Sequence, residues 1–134
     1  MLGYDADYHR LARDGELVRQ ALAEERVLLT RDRDLLKRRA IASGLVRTVL
    51  LAEDDVDAQL RQVVVELGLK PRSVLSRCLE CNVELEPRTA GEVATRVPPY
   101  VRATQVGYSE CPSCGRVYWA GSHWRRMREA VARL

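Results

Sequence analysis

An α/β unit with a parallel sheet flanked by helices, followed by a small β-rich module stapled by thiolates and a carboxyl-terminal helix, is the fold class this sequence predicts. Three observations predict it. Apolar runs of strand length alternate with helical apolar periods over about the first seventy residues. A step at Lys70-Pro71-Arg72-Ser73 then breaks the alternation. Beyond it, Cys78-Leu79-Glu80-Cys81 and Cys111-Pro112-Ser113-Cys114-Gly115 use all 4 cysteines of the 134-residue chain. The expected domains are therefore residues 1–72 and residues 73–134.

Taken in order, Gly3-Tyr4-Asp5-Ala6-Asp7-Tyr8 reads as a short strand or extended edge. Asp14-Gly15-Glu16-Leu17 opens a helix whose Leu17, Val18, Ala21 and Leu22 share an apolar face. Val27-Leu28-Leu29-Thr30 is a continuous apolar run typical of a buried parallel strand. A helix from about Arg33 to Ser43 follows, with Leu35, Leu36, Ala40 and Ile41 inward and Gly44 as its stop. Thr48-Val49-Leu50-Leu51-Ala52 is the next strand. Asp54, Asp55 and Asp57 then lead a helix with Val56, Leu60, Val63, Val64 and Leu67 inward, and Gly68 closes it. Strands alternating with helices imply βαβ units and a parallel sheet. In the second half, Val97-Pro98-Pro99 interrupts the module. Ser122 is expected to cap a last helix carrying Trp124, Met127, Ala130, Val131 and Leu134 on one side.

The cysteines speak to chemistry. A two-residue gap lets a tight turn aim both sulfurs of a pair at one point, and two such knuckles supply the tetrahedral shell of structural zinc. Pro112 stiffens the second turn, and Gly115 offers the left-handed conformation such a turn needs. With Cys78, Cys81, Cys111 and Cys114 all used, no open position is left for catalysis. The 29 residues between the pairs exceed the usual ribbon spacing, so a β-excursion is expected there. A pair of disulfides is the alternative.

Hydrophobic content of 46% and charged content of 31% describe a soluble globular chain. No apolar run approaches the roughly 20 residues a bilayer span needs, and no signal-peptide pattern opens the chain. A cytoplasmic, reducing compartment with no membrane partner is the expectation. The net charge of +3 is unevenly placed: residues 1–75 hold 13 basic and 13 acidic side chains, residues 76–134 hold 9 arginines against 6 glutamates. A positive module end could meet phosphate. Arginine in place of lysine throughout (20 against 2) is equally a coding bias.

In open α/β sheets functional groups gather at the carboxyl ends of strands. Thr30-Arg31-Asp32-Arg33-Asp34 places a hydroxyl and two carboxylates at such an end, and Asp14 and Glu16 begin the preceding helix. If these edges converge they form an acidic pocket for Mg²⁺ or Mn²⁺, which favour carboxylate and water oxygens. The plainer reading makes Asp32 a helix cap. Arg31 and Arg33 could reach phosphate or neutralise the adjacent acids. His9 reads as a surface residue; His123, beside Trp124, reads as a capping or packing residue or as an RNA contact with Arg125. There is no GxGxxG, P-loop or nucleophile elbow.

Read together, several stretches resemble the Mut-seven C-terminal RNase domain family, a PIN-like nuclease fold with a zinc ribbon. They are Leu2-Gly3-Tyr4-Asp5, Asp14-Gly15-Glu16-Leu17, Leu28-Leu29-Thr30-Arg31-Asp32, the segment around Gln59-Leu60, Arg77-Cys78-x-x-Cys81-Asn82, Val97-Pro98-Pro99 and Cys111-Pro112-x-Cys114-Gly115-x-x-Tyr118-Trp119-x-Gly121-Ser122-His123. The resemblance implies a metal-dependent endoribonuclease that prefers single-stranded RNA. Asp32 matches the acid of the family's threonine–arginine–aspartate motif, with Asp34 beside it. Glu16 or Asp14 matches the acid at the preceding helix start, and the four cysteines match the ribbon ligands.

PIN-like domains begin with a strand that ends in a metal-binding aspartate, followed by a helix; here Met1 stands almost directly before the glycine–tyrosine–aspartate segment. The expectation is thus a domain truncated at its amino end and short of one metal-binding acid, with its activity as it stands left open. Either its start lies upstream, or a second copy or protein partner completes the sheet. A non-catalytic RNA- or protein-binding module built on the ribbon is the alternative function.

Overall fold

The computed structural model describes residues 2–9, 11–70 and 76–134. The expected boundary at Pro71-Arg72-Ser73 lies outside the described residues. The chain divides into two compact units, Tyr8–Leu69 and a second made of Met1–Asp7 with Lys70–Leu134.

In the first unit, helix α1 (Asp14–Ala23) leads to strand β1 (Leu28–Thr30). A 3₁₀ turn (Leu35–Lys37) and helix α2 (Arg39–Ala42) precede strand β2 (Thr48–Leu50), and helix α3 (Val56–Leu67) ends the unit. The alternation thus builds the expected parallel pair, with Leu28, Leu29 and Thr30 opposite Thr48, Val49 and Leu50. Val18, Ala21, Leu35 and Val46 form the core, with Leu28, Ala40 and Ile41 packed against it. Burying a side chain such as Leu35, 2% exposed, stabilises by about 1.5–3 kcal/mol. The pleat sends Leu28 to this core and Leu29 to the opposite face, where it is 45% exposed. β1 is therefore not buried on both faces as its apolar run predicts.

The single helix expected from Arg33 to Ser43 is broken. The Thr30 hydroxyl accepts from the Asp32 N–H at 3.0 Å, and Asp32 Oδ1 accepts from the Asp34 N–H at 2.7 Å. These local bonds compete with helix initiation, so only a 3₁₀ turn forms before Arg38 extends the chain. Gly44 ends the segment with φ +79, as expected of a left-handed stop.

Asp55 caps α3 by accepting from the Ala58 N–H at 2.9 Å, and Gly68 closes it at φ 63. Gln62 fastens this helix to the end of β2: its amide donates to the Leu50 carbonyl at 2.8 Å and accepts from the Ala52 N–H at 3.0 Å. Leu60, Val63, Val64 and Leu67 are half-buried, whereas Val56, expected inward, is 60% exposed at the first turn.

In the second unit the cysteine knuckles flank strand β3 (Glu86–Arg88), helices α4 (Ala90–Val93) and α5 (Pro99–Thr104), and strand β4 (Tyr108–Glu110). Strand β5 (Val117–Trp119) and helix α6 (Ser122–Ala132) follow. The sheet is antiparallel in the order β3-β4-β5. The long inter-knuckle segment therefore carries two strands, the expected β-excursion, and two short helices besides. Pro99 is the first residue of α5, where its missing N–H costs nothing. Val93, Val97, Val101 and Tyr108 form the second core. The Tyr108 hydroxyl lies 3.2 and 3.1 Å from the Val101 and Gln105 carbonyls at the end of α5. Gly121, not Ser122, is the cap residue of α6, and Ser122 is its first helical residue. Met127 and Val131 are buried on the expected face.

No strand forms over residues 2–9. Instead the Tyr4 hydroxyl donates to the Lys70 carbonyl at 2.9 Å and accepts from the Lys70 N–H at 3.2 Å, and Asp5 accepts from the Asn82 amide.

Removing the α3 cap tests this architecture. Asp55→Ala is expected to destabilise the protein by about 1 kcal/mol, read as a lowered urea midpoint with unchanged helical circular dichroism at zero urea.

Candidate functional site

Both knuckles repeat one backbone device. The Cys78 carbonyl accepts from the Asn82 N–H at 3.0 Å, and the Cys111 carbonyl accepts from the Gly115 N–H at 2.9 Å. The residue after each second cysteine is left-handed, Asn82 at φ 56 and Gly115 at φ 69, a conformation that glycine and asparagine tolerate best. Cys78 and Cys111 also share an N–H pattern, accepting at sulfur from Cys81 at 3.4 Å and Cys114 at 3.5 Å.

The four Sγ atoms lie within 4.8 Å of one another, and Cys78 Sγ is 3.7 Å from Cys114 Sγ. Four sulfurs about 2.3 Å from a tetrahedral ion stand roughly 3.8 Å apart, so the cage fits a metal such as zinc. All four thiols are free, which sets the disulfide alternative aside. Among the described residues no other group of three or more His, Cys, Asp or Glu side chains converges in this way.

Tyr118 braces this cage. Its hydroxyl accepts from the Leu79 N–H at 3.1 Å, which leaves its proton directed at Cys78 Sγ, 3.2 Å away. Burial pushes the Cys78 thiol up, but the Tyr118 hydroxyl and the Cys81 and Glu80 N–H groups outweigh it and bring the thiol down to about 6. The neighbouring Cys81 is pushed up to about 12, chiefly by Cys114 beside it. One ligand is thus ready as thiolate at neutral pH, and a metal would hold all four cysteines as thiolates.

Next to Cys111, Glu110 gathers two arginines. Arg88 Nε lies 2.8 Å from it and Arg96 forms a two-pronged pair, one arm at 3.1 Å. Hydrogen bonds from Arg96 and then Arg88 hold the Glu110 carboxyl down to about 2 from 4.5. Arg96 also donates to the Gly115 carbonyl at 3.3 Å, which ties this cluster to the second knuckle.

The carboxylates of the first unit are placed differently. Asp32 and Asp34 follow β1, and Glu53, Asp54 and Asp55 follow β2, so both parallel strands deliver acids at their carboxyl ends. Arg31 forms an ion pair with Asp54. Asp34 pairs with Lys37 at 2.6 Å and Asp14 with Arg38 at 3.3 Å. Glu16 accepts from the Arg13 N–H at 2.9 Å, as a helix-start acid does. Asp14, Glu16, Asp32 and Asp34 are each engaged locally, and no three of them converge. Arg33 is exposed.

A family model for the Mut7-C RNAse domain matches residues 1–131. The chain belongs to this family. No curated protein and no solved structure matches it. As a Mut7-C RNAse domain the chain is of ribonuclease type, and RNA is the partner the family points to. Among its described residues no helix is long and apolar enough to cross a membrane. Of the residues the sequence singled out, His9 is exposed, whereas His123 and Arg125 line a groove beside the ribbon. Two participants went unassigned. The role of Tyr118 rests on an aromatic four residues past Cys114 that folds back across β5, a spacing with no general signature. Asp54 was legible only as a helix-start acid, and the strand register brings it to the edge beside Arg31.

Two outcomes are expected here. Tyr118→Phe keeps the ring but removes the hydrogen bond to sulfur, so metal affinity by chelator competition falls about 10-fold with the antiparallel sheet retained. The Glu110 pair contributes stability above about pH 4.5 that fades as pH falls toward about 2, because the folded carboxyl is the stronger acid. The melting temperature of Glu110→Gln is therefore below that of the native chain at pH 7, and the gap narrows below about pH 4.5.

Proposed function

We propose that this chain is a metal-dependent endoribonuclease domain of PIN-like type acting on single-stranded RNA, held on a structural zinc ribbon. The observation that carries this reading is the family match over residues 1–131. The cage chemistry supports zinc: four thiolates, a hydrogen-bonded outer shell and no open position. The acids that close both parallel strands support a hydrolytic edge.

Asp32 is the central acid in this reading. One of its oxygens accepts from Asp34, and a carboxylate has a second to offer. Asp34, Asp14 and Glu16 are the remaining candidates for holding Mg²⁺ or Mn²⁺, by the hard oxygen chemistry such ions require. As folded, they do not converge. The Asp34–Lys37 and Asp14–Arg38 pairs that hold them are exposed, and exposed pairs are worth only about 0–1 kcal/mol, so little opposes their exchange. A bound ion supplies an activated water and stabilises the charge of the cleaved phosphodiester. Arg31 and Arg33 sit on the same turn and would meet the phosphates of the strand.

The second reading, a non-catalytic RNA- or protein-binding module, is favoured by one observation: every one of these acids already has a local partner.

The deciding experiment mixes the zinc-loaded chain with Mn²⁺ and end-labelled RNA, single-stranded or annealed to its complement. Cleavage of the single strand is expected, with a loss of about 100-fold or more in Asp32→Asn at unchanged melting temperature. Intact RNA throughout, bound but uncut, would replace the nuclease reading with the second one.

A further inference from the structure

Beside the sulfur cage, the second unit has a groove of about 580 Å³ between α5 and the segment from β5 into α6. That volume lies in the range of sites that take drug-sized ligands, about 300–1,000 Å³. Aromatic rings line it, Tyr100 from α5, Trp119 from β5 and Trp124 from α6, together with His123 and Arg125. Tyr100 is 70% exposed, so its ring is open to a ligand. Gly121 makes room for Trp119, because a Cβ at that position would meet the indole Nε1 at 2.9 Å. The 2 tryptophans of the chain both line this groove.

The charge of the unit is sorted around it. Arg77, Arg88, Arg96 and Arg116 are all spent on Glu84, Glu86, Glu110 and Glu80. Among the described residues, no ion pair engages Arg102 of α5 or Arg125, Arg126, Arg128 and Arg133 at the α6 side. Arg128 stacks over the Trp124 ring at 5.3 Å. The excess positive charge of residues 76–134 therefore stands on the two helices that wall the groove. A face that joins stacking rings to unneutralised guanidinium groups is the chemistry that holds an unpaired nucleic acid strand: bases stack on aromatics while the backbone follows the cations.

We propose that this groove is a single-stranded RNA site in which bases stack on Tyr100, Trp119 and Trp124 while Arg125 and Arg128 hold phosphates. It is built from other residues than the carboxylate edge and selects unpaired strands, because a base inside a duplex presents no free face to the rings. The assignment rests on the reading of the chain as an RNA-directed nuclease domain, but it concerns capture of the strand, not its cleavage.

The test uses the full zinc-loaded chain without added Mn²⁺ or Mg²⁺ and a short oligouridylate. Stacking is expected to quench the tryptophan emission, with weaker binding to the same strand in a duplex. Arg125→Gln with Arg128→Gln should weaken binding at least 10-fold and make the slope of log affinity against log salt shallower by about 1.4. Tyr100→Ala, an exposed substitution that leaves the fold intact, should reduce affinity about 10-fold or more. If RNA binds with no change in emission and these variants behave as the native chain, the groove assignment fails while the nuclease reading survives. If RNA is not bound here and is not cut once Mn²⁺ is added, both fail. A polyglutamate peptide that binds and quenches as strongly as RNA would assign the groove to an acidic protein and overturn the proposal.

Discussion

The convergence of Cys78, Cys81, Cys111 and Cys114 within 4.8 Å is the constraint on which the second unit depends. Its apolar core is small, built from Val93, Val97, Val101 and Tyr108 with Val117 and Trp119 against it, and a core of that size rarely stabilises a fold alone. The knuckles fix the two ends of the long insertion. The second runs directly into β5, so its geometry sets the register that brings Tyr118 back to Cys78. Metal ligation, strand pairing and outer-shell support therefore form one cooperative arrangement.

Charge is arranged on the same logic. Glu110, adjacent to Cys111, collects Arg88 and Arg96 and so ties β4 to β3 and to the loop before α5. That pairing removes positive charge from the neighbourhood of the cage and leaves it on α5 and α6. In the first unit the acids close both parallel strands but are tied by cheap surface pairs.

Much of this was legible in the sequence because the relevant signals are local. The knuckles, the acids that lead α3, the Gly44 and Gly68 stops and the apolar face of α6 each follow from a few neighbouring residues. The family, too, was readable from short motifs spread over the chain, and the match over residues 1–131 bears it out. What escaped depends on distant partners or on competition. The Arg33–Ser43 helix yielded to side-chain bonds from Thr30 and Asp32, which periodicity ignores. The exposed side of Leu29 depends on how many layers cover the sheet. The glycine–tyrosine–aspartate segment, read as an extended edge, is fastened through Tyr4 to Lys70 and through Asp5 to Asn82, pairings that no local pattern announces.

Native mass spectrometry of the purified chain, combined with chelation, tests the thiolate cage most directly. One zinc ion per chain is expected, lost on Cys111→Ser or with excess chelator, together with the amide-exchange protection of β3, β4 and β5. A metal-free chain that keeps this protected sheet, or one whose mass shows oxidised cysteine pairs, would contradict it.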